Sequence, residues 1–178
     1  MQSGNSLIQE NIHLLRQGLE LLYGLDDESY PSVKHRFSEH GIGSHFRHCL
    51  DFYQAFLQGI EKGRIDYDER ERDSRFSRNH SMVIEKIEAI INRLEDLCEI
   101  DNQMPVMVRL EDAGDEEDPC SWSWSSATRE LQSLVSHTVH HYALIGLMMQ
   151  LNGFAIPADF GVAPSTLKLW RNTMSCAR

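Results

Sequence analysis

Two histidines four residues apart, His137 and His141, stand in an apolar-periodic run from about Ser126 to Leu151. On a helix they project from one side, about 40° apart. Leu134, Leu144 and Met148 share their stripe at spacings of three or four residues, so the pair faces a core rather than solvent. Neutral imidazole is a common ligand for Zn2+, Ni2+ and Fe2+, and burial favours the neutral form. Two such rings can grip one divalent ion if a third ligand arrives from elsewhere. His140 points about 60° away from His137 and about 100° from His141, which makes it the weaker ligand.

A third ligand is available in Ser44-His45-Phe46-Arg47-His48-Cys49-Leu50, where His45, His48 and Phe52 follow at i, i+3 and i+7 on one stripe. On spacing alone His45 and His48 compete for the position. Three imidazoles leave one to three coordination positions open for water or substrate, as in a catalytic rather than a closed structural site. The HxxxH outline resembles the zincin HExxH, but Thr138 holds the place of the glutamate. Without that general base, zincin peptidase chemistry is not expected. A phosphotransfer bundle uses one solvent-facing histidine, whereas these are paired on apolar stripes. Asp51, three residues after His48, can orient a ligand from behind it or simply sit at the surface.

The elements that must position these residues are helical. Leu7, Leu14, Leu15, Leu19 and Leu22 predict a first helix over Ser6 to Gly24. Pro31 biases Tyr30 away from helix in the connection over Ser29 to Gly41. The second helix runs from about Ile42 to Ile60, with Gly63 as its stop. A charged loop follows over Gly63 to Asp73. Val83, Ile84, Ile87, Ile90, Ile91, Leu94 and Leu97 place a third helix over Ser74 to Ile100. Alternation in Met104 to Leu110 predicts a short strand, with Ser121 to Trp124 as its hairpin partner. Trp122 and Trp124 there either line a pocket mouth or pack across strands. Ser125 or Ser126 caps the fourth helix, which ends at Asn152-Gly153. Pro164 begins a short final helix through Trp170, where Ser165 and Thr166 either cap it or contact a ligand. Together these predict an all-α chain: one four-helix-bundle domain over residues 1–178, with a short β-hairpin between helices three and four.

The bulk properties narrow the partners. The formal net charge is −10 and the pI near 5.3, which speaks against nucleic acid, since phosphate binding needs concentrated Lys and Arg. Part of the acidic excess is one run, Glu111 to Asp118, read as a solvated loop. No apolar run reaches a membrane span, and the N-terminus lacks a signal peptide, so a cytoplasmic protein without membrane contact is expected. The four cysteines, Cys49, Cys98, Cys120 and Cys176, form no CxxC and are expected as free thiols. Cys49 and Cys98 fall in apolar helical runs and are expected in the core.

Four stretches also carry a family resemblance. Gly43 to Tyr53 looks like the second helix of DinB-like proteins, and Leu134 to Tyr142 like their fourth. Asp66 to Arg72 resembles the loop after the second helix in one branch, and Phe160 to Thr166 that branch's C-terminal signature. In this order, covering nearly the whole chain, the sequence resembles the DinB-like (DinB/YfiT-type) superfamily. The resemblance implies a four-helix bundle holding a divalent metal ion (Zn, Ni or Fe) through His48, His137 and His141, with His45 as an outer group or alternate ligand. It implies a metal-dependent enzyme acting on a small-molecule substrate, of the thiol S-transferase or hydrolase type. The alternative is a non-catalytic, stress-related metal-binding bundle. It also implies a homodimer, and the family name carries no implication of DNA binding.

Overall fold

A computed structural model describes residues 3–33, 41–69, 73–97, 101, 103–109 and 122–176. The described chain is largely helical with one small sheet. In order, α1 spans Ser3–Tyr23, α2 Ser29–Ser32, α3 Ile42–Gly59, β1 Arg64–Asp66, α4 His80–Asp96, β2 Pro105–Arg109, β3 Trp122–Ser126, α5 Ala127–Leu151 and α6 Pro164–Cys176. No described helix is long and apolar enough to cross a membrane.

The long helices form where apolar residues recur at helical spacing, and their apolar stripes meet. α1 and α3 each pack against both α4 and α5. Leu15, Leu22, Phe46, Phe56, Ile87, Leu94, Leu134 and Ile145 all join the resulting core, and burial of such side chains is the main drive for the packing. A polar chain crosses that core. Thr138 Oγ1 donates to Tyr53 Oη (3.2 Å), Tyr53 Oη donates to Asn11 Oδ1 (2.8 Å), and Asn11 Nδ2 donates to the Leu131 carbonyl (3.1 Å). Each buried group here has a partner, so the link costs little and specifies one rotation of α5 against α1 and α3.

Four local expectations are corrected. The third helix does not start at Ser74: Ser74–Ser77 is a separate 3-10 turn, and α4 begins after Asn79, whose extended backbone and carboxamide cap the new helix by accepting from Met82 N. Tyr30 lies in the one-turn helix α2 despite Pro31. A proline in a first turn loses no intrahelical bond, because those N–H groups have no helical partner. The charged stretch after Gly63 holds a strand. Gly63, at φ 65°, turns the chain, and β1 then pairs parallel with β2, with Ile65 opposite Val108. β2 pairs antiparallel with β3, Met107 facing Trp124, so the hairpin is the larger part of a three-stranded sheet ordered β1-β2-β3. Finally, α6 continues past Trp170 to Cys176. The acidic run Glu111 to Asp118, Cys98, Cys120, Leu110, Ser121, Arg70 to Arg72 and the end expected for the third helix at Ile100 lie outside the described residues.

Candidate metal centre

α3 and α5 carry the histidines and lie against each other. Gly43 lets α3 approach its neighbour closely, since a Cβ there would sit 2.5 Å from the Ser77 carbonyl oxygen. One α3 turn further, His48 faces the HxxxH pair. His48 Nε2 and His137 Nε2 are 3.1 Å apart. The ring centroids of His48 and His141 are 4.8 Å apart, and those of His137 and His141 4.6 Å. One nitrogen from each of His48, His137 and His141 lies within 4.8 Å of the other two, all three residues half-buried, so the trio could hold a metal ion.

The donor set fits a divalent transition metal. Three imidazole nitrogens on one tetrahedral zinc stand about 3.3 Å apart, given Zn–N bonds of about 2.0–2.1 Å. The His48–His137 pair already has that spacing. Burial, reinforced by the rings of His137, His48, His45 and His140, pushes the His141 pKa down to about 3. It is therefore neutral at physiological pH, the form that coordinates.

His45 and His140 flank the trio. His45 Nδ1 lies 2.9 Å from His141 Nδ1, so His45 touches one member of the trio. His140 is exposed, its ring 5.0 Å from that of His141. Asp51 is half-buried on α3, one turn beyond His48. Thr138, in the position of the zincin glutamate, is buried and bonded to Tyr53.

Beside the trio opens a cavity of about 510 Å³ whose wall includes Phe52, Tyr67, Trp124, Glu130, Leu134 and His137. Phe52 packs on His137 (centroids 4.2 Å apart) and stacks on Tyr67 (5.0 Å, 24°). Glu130 accepts hydrogen bonds from Tyr67 Oη (2.9 Å) and Ser125 Oγ (2.5 Å). Burial, together with the charge and hydrogen bond of Glu130, raises the Tyr67 pKa above its ordinary value. Trp124 lines this cavity, whereas Trp122 lies under the Arg64 guanidinium, 3.9 Å from its ring centre. Ser165 and Thr166 begin α6 and are not part of the cavity wall.

Glu130 and Tyr67 are among the wall residues that spacing arguments missed. A signal was present for Glu130: it precedes Leu134, His137 and His141 by 4, 7 and 11 residues, a carboxylate on the core-facing stripe. Tyr67 lies in a stretch read as a charged loop, and its approach to Glu130 depends on β1, which no local pattern announces.

No family model matches the chain, and no solved structure matches it. FK506-binding protein 5 of Rhizopus delemar is 31% identical over 161 residues, which cover 90% of this chain and 40% of that protein. The chain thus spans about two fifths of the length of this curated relative.

Proposed function

We propose that the chain is a DinB-like four-helix bundle that binds one divalent metal ion through His48, His137 and His141 and acts as a metal-dependent enzyme on a small molecule, of the thiol S-transferase or hydrolase type. The observation that carries this reading is the 3.1 Å approach of His48 Nε2 to His137 Nε2, with His141 beside them and a 510 Å³ cavity against His137. A structural site has no use for an adjoining cavity, whereas an open coordination position needs one.

Bound there, a divalent ion supplies Lewis acidity, lowering the pKa of a water or thiol or polarising a carbonyl. The chain does the rest. The three imidazoles fix the position of the open site. Phe52 and Tyr67 form an apolar wall that limits water at His137. Glu130, whose oxygens are anchored by Tyr67 and Ser125, is the carboxylate of the cavity wall, at the end away from the trio. The non-catalytic alternative keeps the metal and lacks turnover. Exposed Leu147 and Leu151 on α5, with Leu169 and Trp170 on α6, supply apolar surface for the homodimer in either case. Light scattering distinguishes that dimer from a 20.5 kDa monomer.

The test of the enzyme reading is a panel of low-molecular-weight thiols against electrophiles, and of small esters and amides, using metal-loaded protein beside His48→Ala. Turnover by the loaded protein that falls at least about 100-fold in the variant is expected. Inactivity across the panel with metal bound favours the binding module, and equal rates in the variant remove the histidines from the chemistry.

A further inference from the structure

Glu130 is a buried carboxylate, 6% exposed, in the first turn of α5. Its two recorded partners, Tyr67 and Ser125, are neutral hydroxyls. Among the described residues no lysine, arginine or histidine forms an ion pair with it. Arg109 pairs with Asp66 (3.3 Å) and Asp68 (3.5 Å). A carboxylate offers about four acceptor positions, two hydroxyls leave some of them unused, and Glu130 lines the cavity. Keeping such a group buried without a directly paired counter-charge is costly. A cation arriving in the cavity offsets that cost.

The rest of the wall suits the same visitor. Phe52 and Tyr67 form a stacked aromatic face, and Trp124 stands 76% exposed at the mouth. Aromatic faces attract an ammonium group and cover an apolar body. Arg129 also borders the cavity and its charge reaches Tyr67, but it forms no ion pair with Glu130 and is exposed, where water and salt weaken its charge. We propose that this cavity seats a small aromatic or apolar amine, with its ammonium group on Glu130 and its body against Phe52, Tyr67 and Trp124. Glu130 and His137 are seven residues apart on one helix face, about 10 Å along the axis. The amine therefore stands about two helical turns from the histidine trio, and the reacting end of a substrate points at the trio. Its role as a substrate site rests on the metal-centre reading, whereas its preference for an amine does not.

The probes are 2-phenylethylamine, 2-phenylethanol and 3-phenylpropionate, titrated into the full chain with and without zinc and followed by tryptophan fluorescence. The amine is expected to bind at least about tenfold more tightly than the alcohol, the scale of one charge-assisted hydrogen bond. Glu130→Gln keeps a polar partner for both hydroxyls and should bring amine and alcohol within about twofold. Equal affinities in the unsubstituted protein, tighter binding of the carboxylate, or no saturable amine binding up to about 10 mM overturns the assignment without recourse to any variant. Loss of amine preference in a protein that binds zinc overturns this assignment alone, and amine preference in a protein that binds no metal overturns the metal centre alone.

Discussion

The Nδ1 atoms of His45 and His141 stand 2.9 Å apart, across the packing of α3 on α5. One of the two must carry the proton. When it is His141, its Nε2 lone pair is free to coordinate; when it is His45, a neutral His141 carries its proton on Nε2 and cannot. Coordination through His141 Nε2 would require the first arrangement, with His45 orienting His141. Outer partners of this kind are worth about 10- to 100-fold in metal affinity. His45→Phe is expected to weaken zinc binding by that factor, measured by competition with a chromophoric chelator, while the stoichiometry stays at one. Unchanged affinity would show that His45 is a neighbour only.

Acid should act on the metal-free protein through the same cluster. The folded chain holds His141 at about 3, and the unfolded chain takes up that proton near 6.5. Between these values the unfolded state binds more protons, so this contribution to stability is complete above pH 6.5 and is lost as pH falls toward 3. Urea midpoints of the metal-free protein should drop across that window, and His141→Gln should flatten the drop. Identical pH profiles for the two proteins would contradict the assigned shift.

Gly161 ties the tail to the site. At φ 68°, its Cα approaches α5 so closely that a Cβ would lie 2.6 Å from Ala143 N and 2.7 Å from the Tyr142 carbonyl carbon. Tyr142 follows His141, and its ring stacks on Phe160 with centroids 4.9 Å apart. Gly161→Ala meets both a left-handed backbone and a backbone clash, at an expected cost of about 2–4 kcal/mol. A urea midpoint equal to that of the parent protein would show that the tail moves aside freely.

Cys49 should be unreactive while the chain is folded. The thiol is buried on α3 and its pKa is raised, mainly by burial and further by Asp51. The thiolate is the nucleophile, and both effects deplete it. Iodoacetamide should label the Cys49 peptide at least about 100-fold more slowly in native protein than in urea. Comparable rates would mean that α3 opens readily.

The parts of this structure that local periodicity governs were legible in the sequence. The apolar stripe from Val83 to Leu94 gives α4, and the stripe through Leu134, His137 and His141 gives the core-facing side of α5. The start of α4 was misread because Asn79, a strong capping residue, lies inside an otherwise helical stretch. β1 was not legible, because Arg64, Ile65 and Asp66 make too short a segment to show alternation and pair with residues about forty positions away. The histidines could be placed on their helices from spacing, yet spacing left His45 and His48 equal. What separates them is the rotation of α3 against α5, which puts His48 against His137 and His45 behind His141. That rotation depends on contacts such as Tyr53 with Asn11 and Thr138, between residues 42 and 85 positions apart.

The metal content of the protein tests the central claim most directly. Chain purified without a histidine tag, in the absence of chelator, is analysed by inductively coupled plasma mass spectrometry beside His48→Ala and His137→Ala, each checked for folding by circular dichroism. About one divalent transition metal per chain is expected in the parent protein, falling below about 0.1 in both variants. Parent protein that holds less than about 0.1 metal per chain, even after incubation with Zn2+, Ni2+ or Fe2+, would contradict it.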